Sequence, residues 1–214
     1  MQHGISTAFA VPLYTANMPN CDSFNQALVA LFKQYSTEQY KNPNPYTLRN
    51  DSLFESRFDL FQWPDKPIQD LANFCCQHVY RCVGELNQYS QSELASLRLG
   101  VDSWFHITRD QGFFGVHNHP MASWSGVYCV SDGNPDPTIP HNGQLSFVNP
   151  FILSSMFMDA GNARLKQPFA NGNLGFSLIP GQLVLFPSWL LHEVKPFYGS
   201  GERVTVAFNC WFQM

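Results

Sequence analysis

The sequence predicts a mainly β protein with helices near its N-terminus. From about residue 100 onward, short runs of aromatic and β-branched residues alternate with Gly, Pro, Asn and Asp, which is the pattern of short strands joined by turns. No helical pattern separates these runs, so a β-sandwich or jelly roll is favoured over a parallel sheet with helical crossovers. Helical periodicity is confined to the first hundred residues. The predicted strands span 101–108, 113–119, 124–130, 144–148, 174–179, 182–186 and 202–213.

Local patterns predict the elements before residue 100. The apolar run at 6–14 suggests a first strand. Apolar residues at helical spacing then indicate two amphipathic helices that would pack against the core. The first helix would begin with Asp22 or Ser23 as its N-cap and run to about Tyr35, and the second would follow the N-cap Asp65 and run to about Tyr89.

Length and composition predict one folded domain. A chain of 214 residues can build one well-packed core, and its 44% hydrophobic and 13% charged residues exclude a disordered protein. We predict a single domain over 1–214, in which 1–99 contributes a strand and supporting helices and 100–214 forms the jelly-roll core. The connections 131–137 and 151–173 are long enough to act as binding loops.

Charge and cysteine usage limit the partners and the location. The net charge is −4 and the basic residues are scattered, so no nucleic-acid partner is expected. The chain has neither an apolar run of membrane-spanning length nor the pattern of a signal peptide, so no membrane partner is expected. The six cysteines form no C-x-x-C pair and are read as free thiols in the reducing cytoplasm.

Three histidines form the strongest candidate site, a metal centre. Residues two apart in a strand project to the same face, so His117 and His119 can reach one ion while Asn118 points away. His192, which follows another predicted strand, is the candidate third ligand. Three ligands on one face of an octahedron leave positions open for substrate and O₂, an arrangement that suits non-haem Fe(II).

Arg203 is the candidate anion-binding residue. It lies in the last predicted strand and shares a face with Thr205 and Ala207. An arginine directed into an apolar interior needs a counter-anion, because an unpaired buried charge is strongly unfavourable. The planar guanidinium can hold a carboxylate through two parallel hydrogen bonds, so a dicarboxylate is the expected ligand.

Four motifs in the second half of the chain resemble those of a known family, the 2-oxoglutarate- and Fe(II)-dependent oxygenases of the prolyl-hydroxylase-like branch. The resemblance covers residues 101–212 well and the first hundred residues only in having a strand and helices. The motifs are HNHP at 117–120, WSGVY at 124–128, LVLFPSWLxHxVxP at 183–196 and GxRVxVAFN at 201–209.

The resemblance implies a fold, a reaction and roles for residues. The fold would be a double-stranded β-helix, the cupin-like form of the jelly roll. The iron ligands would be His117, His119 and His192, with His119 in place of the usual carboxylate, and Arg203 would bind the far carboxylate of 2-oxoglutarate. Thr205 stands where the family often has a serine, and Tyr128 resembles a tyrosine that contacts the co-substrate. The cofactors would be Fe(II) and 2-oxoglutarate. O₂ would be consumed, succinate and CO₂ would be co-products, and an unknown organic or peptidyl substrate would be hydroxylated.

Two other functions remain open from the residues. Three histidines could hold iron in a cupin-type dioxygenase that does not use 2-oxoglutarate, although Arg203 argues against it. A non-catalytic jelly-roll module could instead hold a metal, but structural zinc sites usually have four ligands and the sequence offers no fourth at suitable spacing. Neither the substrate nor the oligomeric state can be predicted from the sequence.

Overall fold

The computed structural model describes residues 3–151 and 157–213, which form two antiparallel sheets with helices on one side. The larger sheet has the strand order β1-β8-β5-β10-β3-β2, and the smaller has the order β4-β9-β6-β7. The strands are β1 (Tyr14–Asn17), β2 (Leu53–Glu55), β3 (Arg98–Thr108), β4 (Phe114–His117), β5 (Trp124–Ser131), β6 (Leu145–Phe147), β7 (Leu174–Phe176), β8 (Gln182–Pro187), β9 (His192–Val194) and β10 (Arg203–Gln213).

Helices cover the outer face of the larger sheet. They are α1 (Asp22–Tyr35), α2 (Lys66–Asn87) and the short α3 (Gln91–Ser96), and a 3₁₀ turn spans Leu60–Gln62. In α1 and α2, apolar residues recur at helical spacing and form a stripe along one side of each helix, with polar residues on the other side. The apolar stripe of each helix packs on this face of the sheet. Phe32 of α1 illustrates the contact, since its ring stacks on that of Phe105 in β3 with centroids 4.4 Å apart.

A second core lies between the two sheets. Side chains of β8 alternate between the cores: Leu183 and Leu185 face the helices, whereas Val184 and Phe186 face the smaller sheet. Phe147 of β6 packs on Phe186 across the gap, with ring centroids 4.8 Å apart. Apolar side chains therefore fill one end of the space between the sheets, and the histidines lie next to these side chains.

Most of the predicted elements are confirmed, and some are wrong. The mainly β jelly roll and both predicted helices are present, and seven predicted strands have counterparts with nearby bounds. The strand predicted at 6–14 is wrong, because the first strand runs from Tyr14 to Asn17, where it pairs with β8. Pro12 lies in the incorrectly predicted run and lacks the N–H group that a strand would use. Strands β2 and β9 and helix α3 were not predicted.

The remaining predictions for the chain are only partly addressed. Of the predicted loop 151–173, residues 152–156 lie outside the described part of the structure, as do the ends of the predicted domain 1–214. The single-domain organisation stays a prediction. All six cysteines are free thiols. Among the helices in the described residues, none combines the length and apolar character needed to cross a membrane.

Candidate metal centre

Three histidines meet between the sheets at the end of strand β4. His117 is the last residue of β4, and it pairs directly with His192, the first residue of β9. His119 lies two residues beyond β4, where its backbone N–H donates to the carbonyl of Ser188 at 2.9 Å. One nitrogen from each ring can be chosen so that all three lie within 4.8 Å of one another, which is close enough to share one metal ion. The structure therefore brings together the three residues that the sequence predicted.

Backbone carbonyls orient two of the three rings. Nδ1 of His117 lies 2.8 Å from the carbonyl oxygen of Gly115, and Nδ1 of His192 lies 2.8 Å from that of Leu190. A carbonyl only accepts, so each contact requires a proton on Nδ1 and leaves the lone pair on Nε2 free. Such hydrogen bonds from the far nitrogen are typical of histidines that bind metals. Among the described residues, the His119 ring has no comparable partner.

Burial keeps these rings neutral and able to bind a cation. Burial, followed by repulsion from His117, lowers the pKa of His119 to about 4 and that of His192 to about 3. Burial also lowers the pKa of His117. Because only a neutral imidazole has the free lone pair that a metal requires, the site is ready for a metal ion at neutral pH.

Arg203 lies in the same interior space, and no carboxylate of the described residues forms an ion pair with it. It is the first residue of β10 and only 5% exposed, and among the described residues its Nη2 atom has no hydrogen-bond partner and its guanidinium no ion pair with a carboxylate. Burial lowers the pKa of the guanidinium, while Cys129 and Asp132 act in the opposite direction. A buried cation without a partner is strongly unfavourable, so this site suits an anionic ligand.

Two small cavities meet at the histidines. The first, here the Arg203 cavity, is lined by His192, Arg203 and Thr205, and the second, here the Glu55 cavity, is lined by Glu55. His117 and His119 line both cavities, as do Trp104, Phe114 and Asn209. Further lining residues are Trp104, His106, Phe114, Ser125, Gly126, Val127, Leu145, Phe186, Val194, Ala207, Phe208 and Asn209 in the Arg203 cavity, and Asn42, Tyr46, Thr47, Phe58, Trp104, Phe114 and Asn209 in the Glu55 cavity.

Tyr128 is not part of this site, contrary to the expectation from the family resemblance. It lies in β5, where it pairs with Val206 of β10, and paired residues of neighbouring strands point to the same face of the sheet. Both side chains belong to the core that faces the helices. Its hydroxyl donates to Oδ1 of Asn25 in α1 at 2.9 Å. Thr205 does line the Arg203 cavity, as the resemblance implied, and its role stays a prediction.

A Tyr128→Phe substitution tests this placement. We expect it to lower the free energy of unfolding by about 1–3 kcal/mol, because the buried Oδ1 of Asn25 would lose its donor. Affinity for 2-oxoglutarate should remain unchanged, since the hydroxyl faces away from the Arg203 cavity. Urea unfolding and calorimetric titration of the metal-loaded protein measure the two quantities. A tenfold loss of 2-oxoglutarate affinity at normal stability would contradict the placement.

Glu55 is the main residue of the site that the sequence did not reveal. It ends the three-residue strand β2, pairs with His106 of β3 and is 3% exposed. Its carboxylate accepts from Asn42 Nδ2 at 2.6 Å and Arg49 Nη1 at 2.7 Å, and it lies 3.0 Å from Nε2 of His106. In the sequence, Glu55 is a charged residue directly after two apolar ones. No local sequence pattern indicated that it lies near the histidines.

The fold and the site together define a class of protein: jelly rolls with a candidate metal centre and a buried anion site between two antiparallel sheets. A family model described as "Putative 2OG-Fe(II) oxygenase" matches residues 102–209, which is just over half of the chain. The chain belongs to this family of 2-oxoglutarate- and Fe(II)-dependent oxygenases, whose cofactors are Fe(II) and 2-oxoglutarate. The family resemblance predicted from the motifs is confirmed.

Several solved structures share the fold of this chain. A prolyl-4-hydroxylase from Pseudomonas putida has a TM-score of 0.59 at 18% identity, and the match covers 95% of this chain and 92% of that one. A Trichoplax adhaerens prolyl hydroxylase, in complex with a peptide fragment of the hypoxia inducible factor oxygen degradation domain, has a TM-score of 0.56 at 14% identity, with 93% and 83% covered. HygX from Streptomyces hygroscopicus, with nickel, 2-oxoglutarate and hygromycin B bound, has a TM-score of 0.55 at 11% identity, with 94% and 83% covered. No curated protein matches the sequence.

Proposed function

We propose that this protein hydroxylates an organic or peptidyl substrate, with Fe(II) held by His117, His119 and His192 and 2-oxoglutarate anchored by Arg203. The observation that carries the proposal is the buried guanidinium of Arg203, whose Nη2 has no hydrogen-bond partner within the described residues, in a cavity that the three histidines also line. The donors fit the cofactors, because neutral imidazoles suit Fe(II) and a guanidinium suits a carboxylate. Bound Fe(II) and 2-oxoglutarate would supply the oxidising chemistry, with O₂ consumed and succinate and CO₂ released.

The protein's own groups then have three tasks. The two histidines whose Nδ1 atoms bond backbone carbonyls keep their Nε2 lone pairs available, so two ligands would be oriented before the metal arrives. Arg203 would fix the orientation of 2-oxoglutarate by holding its far carboxylate, with the Thr205 hydroxyl alongside. The apolar side chains that pack between the sheets would limit the access of water to this space.

The Glu55 cavity is the proposed place for the substrate. Its lining includes the same two histidines but not Arg203, and it also includes Tyr46, which is largely exposed. A substrate there would contact the metal centre without displacing the co-substrate. Among proteins of similar fold, one structure contains a peptide and another hygromycin B, so the substrate class stays as broad as organic or peptidyl.

Anaerobic titration of the Fe(II)-loaded protein with 2-oxoglutarate tests this function. Chelation of the iron by the keto acid is expected to produce a weak visible metal-to-ligand charge-transfer band that saturates. Succinate, which has no keto group, is the matched control and should not produce the band. If iron binds and the band does not appear, a three-histidine iron dioxygenase that does not use 2-oxoglutarate, or a non-catalytic metal-binding module, becomes the better account.

A further inference from the structure

The histidine cluster contains no carboxylate, although a divalent metal would bring two positive charges into a buried space. Three neutral imidazoles leave that charge unchanged, and a charge in a low-dielectric interior is unfavourable without a nearby opposite charge. Glu55 is the one carboxylate among the residues that line the two cavities. It shares the Glu55 cavity with two of the candidate ligands, His117 and His119.

We propose that Glu55 supplies the negative charge that balances the metal ion at this three-histidine site, acting through space and not as a ligand. The inference rests on the proposed function. It assigns Glu55 as a positioning and charge-balancing residue, which compensates for the histidine that stands at position 119.

The surroundings of Glu55 hold its carboxylate in place and ionised. Oε1 accepts from both Asn42 and Arg49, and Oε2 lies 3.0 Å from His106 Nε2, so these three side chains hold the carboxylate in place. Among the described residues, the cluster of candidate ligand atoms within 4.8 Å of one another does not include Glu55. Burial alone would raise the pKa of the carboxyl, but hydrogen bonds from His106 and Asn42 and the charge of Arg49 lower it to about 2. The carboxylate is therefore negative at neutral pH, and its side chain is only 4% exposed.

Besides the shared cavity, aromatic rings connect His106, the partner of Glu55, with the histidine cluster. The ring of Phe114 contacts both groups, with its centroid 5.2 Å from that of His106 and 4.9 Å from that of His117. The indole of Trp104 makes a similar link, 6.3 Å from His106 and 5.9 Å from His119. A charge acting across packed aromatic rings is screened far less than one acting across water.

A purely structural role is the competing explanation. The hydrogen bonds of Glu55 with Arg49 and Asn42 hold the segment before β2 against the larger sheet. Loss of these contacts could disturb the histidines indirectly. Arg49 distinguishes the two roles, because its side chain belongs to the same contact but carries the opposite charge and lines neither cavity. Removing the Arg49 side chain breaks its contact with Glu55, but it also leaves the negative charge of Glu55 less compensated.

The experiment compares Co(II) binding by the wild type, Glu55→Gln and Arg49→Gln. Co(II) affinity is measured by competition with a chromophoric chelator, and the visible d–d absorption of bound Co(II) reports the ligand set. We expect Glu55→Gln to lose about 10- to 100-fold in affinity with an unchanged absorption spectrum. Arg49→Gln should bind Co(II) more tightly than the wild type. Near-ultraviolet circular dichroism verifies the fold of both variants.

The outcomes separate this inference from the proposed function. If the wild type does not bind Co(II), the proposed metal centre itself fails. If the wild type binds and Glu55→Gln stays within about twofold of it, or if both variants lose affinity equally, Glu55 does not balance the metal charge. Should Glu55→Gln not fold, Arg49→Gln decides alone: tighter Co(II) binding than in the wild type supports the charge role, because the charge of Glu55 is then less compensated, and equal or weaker binding overturns it.

Discussion

Replacing His192 by alanine is expected to lower metal affinity by more than about 100-fold, beyond the loss typical of residues that only support a ligand. The imidazole of His192 lies 4.3 Å from that of His117 and 5.2 Å from that of His119, centroid to centroid, so its removal leaves two ligands on one side of the site. Isothermal titration with Co(II) measures the change.

The matched control for this variant is His141→Ala. His141 is exposed and bonds Gln144 outside both cavities, so its loss should leave Co(II) affinity unchanged. Thermal unfolding of the metal-free proteins must show that His192→Ala still folds, since the residue is buried. Wild-type affinity in a folded His192→Ala protein would remove His192 from the ligand set.

Replacing Arg203 by methionine is expected to weaken 2-oxoglutarate binding by about 2–5 kcal/mol, which is about 30- to several-thousand-fold, while Co(II) affinity remains unchanged. The loss follows from removing the cation that would face the far carboxylate in the Arg203 cavity. The metal-free protein should be at least as stable as the wild type, because methionine of similar length replaces a buried guanidinium whose Nη2 has no hydrogen-bond partner in the described structure.

Arg109→Met is the control for the charge change. Arg109 lies just beyond β3, pairs with Glu202 at 3.0 Å and is half exposed, so 2-oxoglutarate affinity should be retained. Titration of 2-oxoglutarate into the Co(II)-loaded variants gives the affinities, and urea unfolding of the metal-free proteins gives the stabilities. An Arg203→Met protein that binds 2-oxoglutarate like the wild type would show that the anion is held elsewhere.

The sequence predicted the histidine cluster for a reason that was partly right. His117 and His119 were expected to share a face of one strand over 113–119, but β4 ends at His117. His119 reaches the cluster because the backbone beyond the strand bonds the carbonyl of Ser188. The pairing of His117 with His192 depends on the register of β4 against β9, and β9 is too short to be visible as a strand in the sequence.

Tyr128 and Glu55 show where reasoning from the sequence failed. The alternation of side chains along β5 determines which face Tyr128 occupies, but the face that holds the site is known only after the sheet pairs with the helices. Glu55 reaches the site through the β2–β3 pairing, which joins residues far apart in the chain. Local sequence patterns do not determine how distant strands pair. They therefore predicted the fold and the candidate ligands better than the residues around those ligands.

The two backbone hydrogen bonds to His117 and His192 have a consequence for how the centre would assemble. Those rings lose little rotational entropy when a metal arrives, whereas the His119 ring, without such a bond in the described structure, must be ordered by the metal itself. Capture of an ion would then begin at the two restrained rings, and release would begin at His119. By the family resemblance, His119 stands in place of the usual carboxylate ligand. The change of ligand type would thus occur at the least preorganised of the three positions.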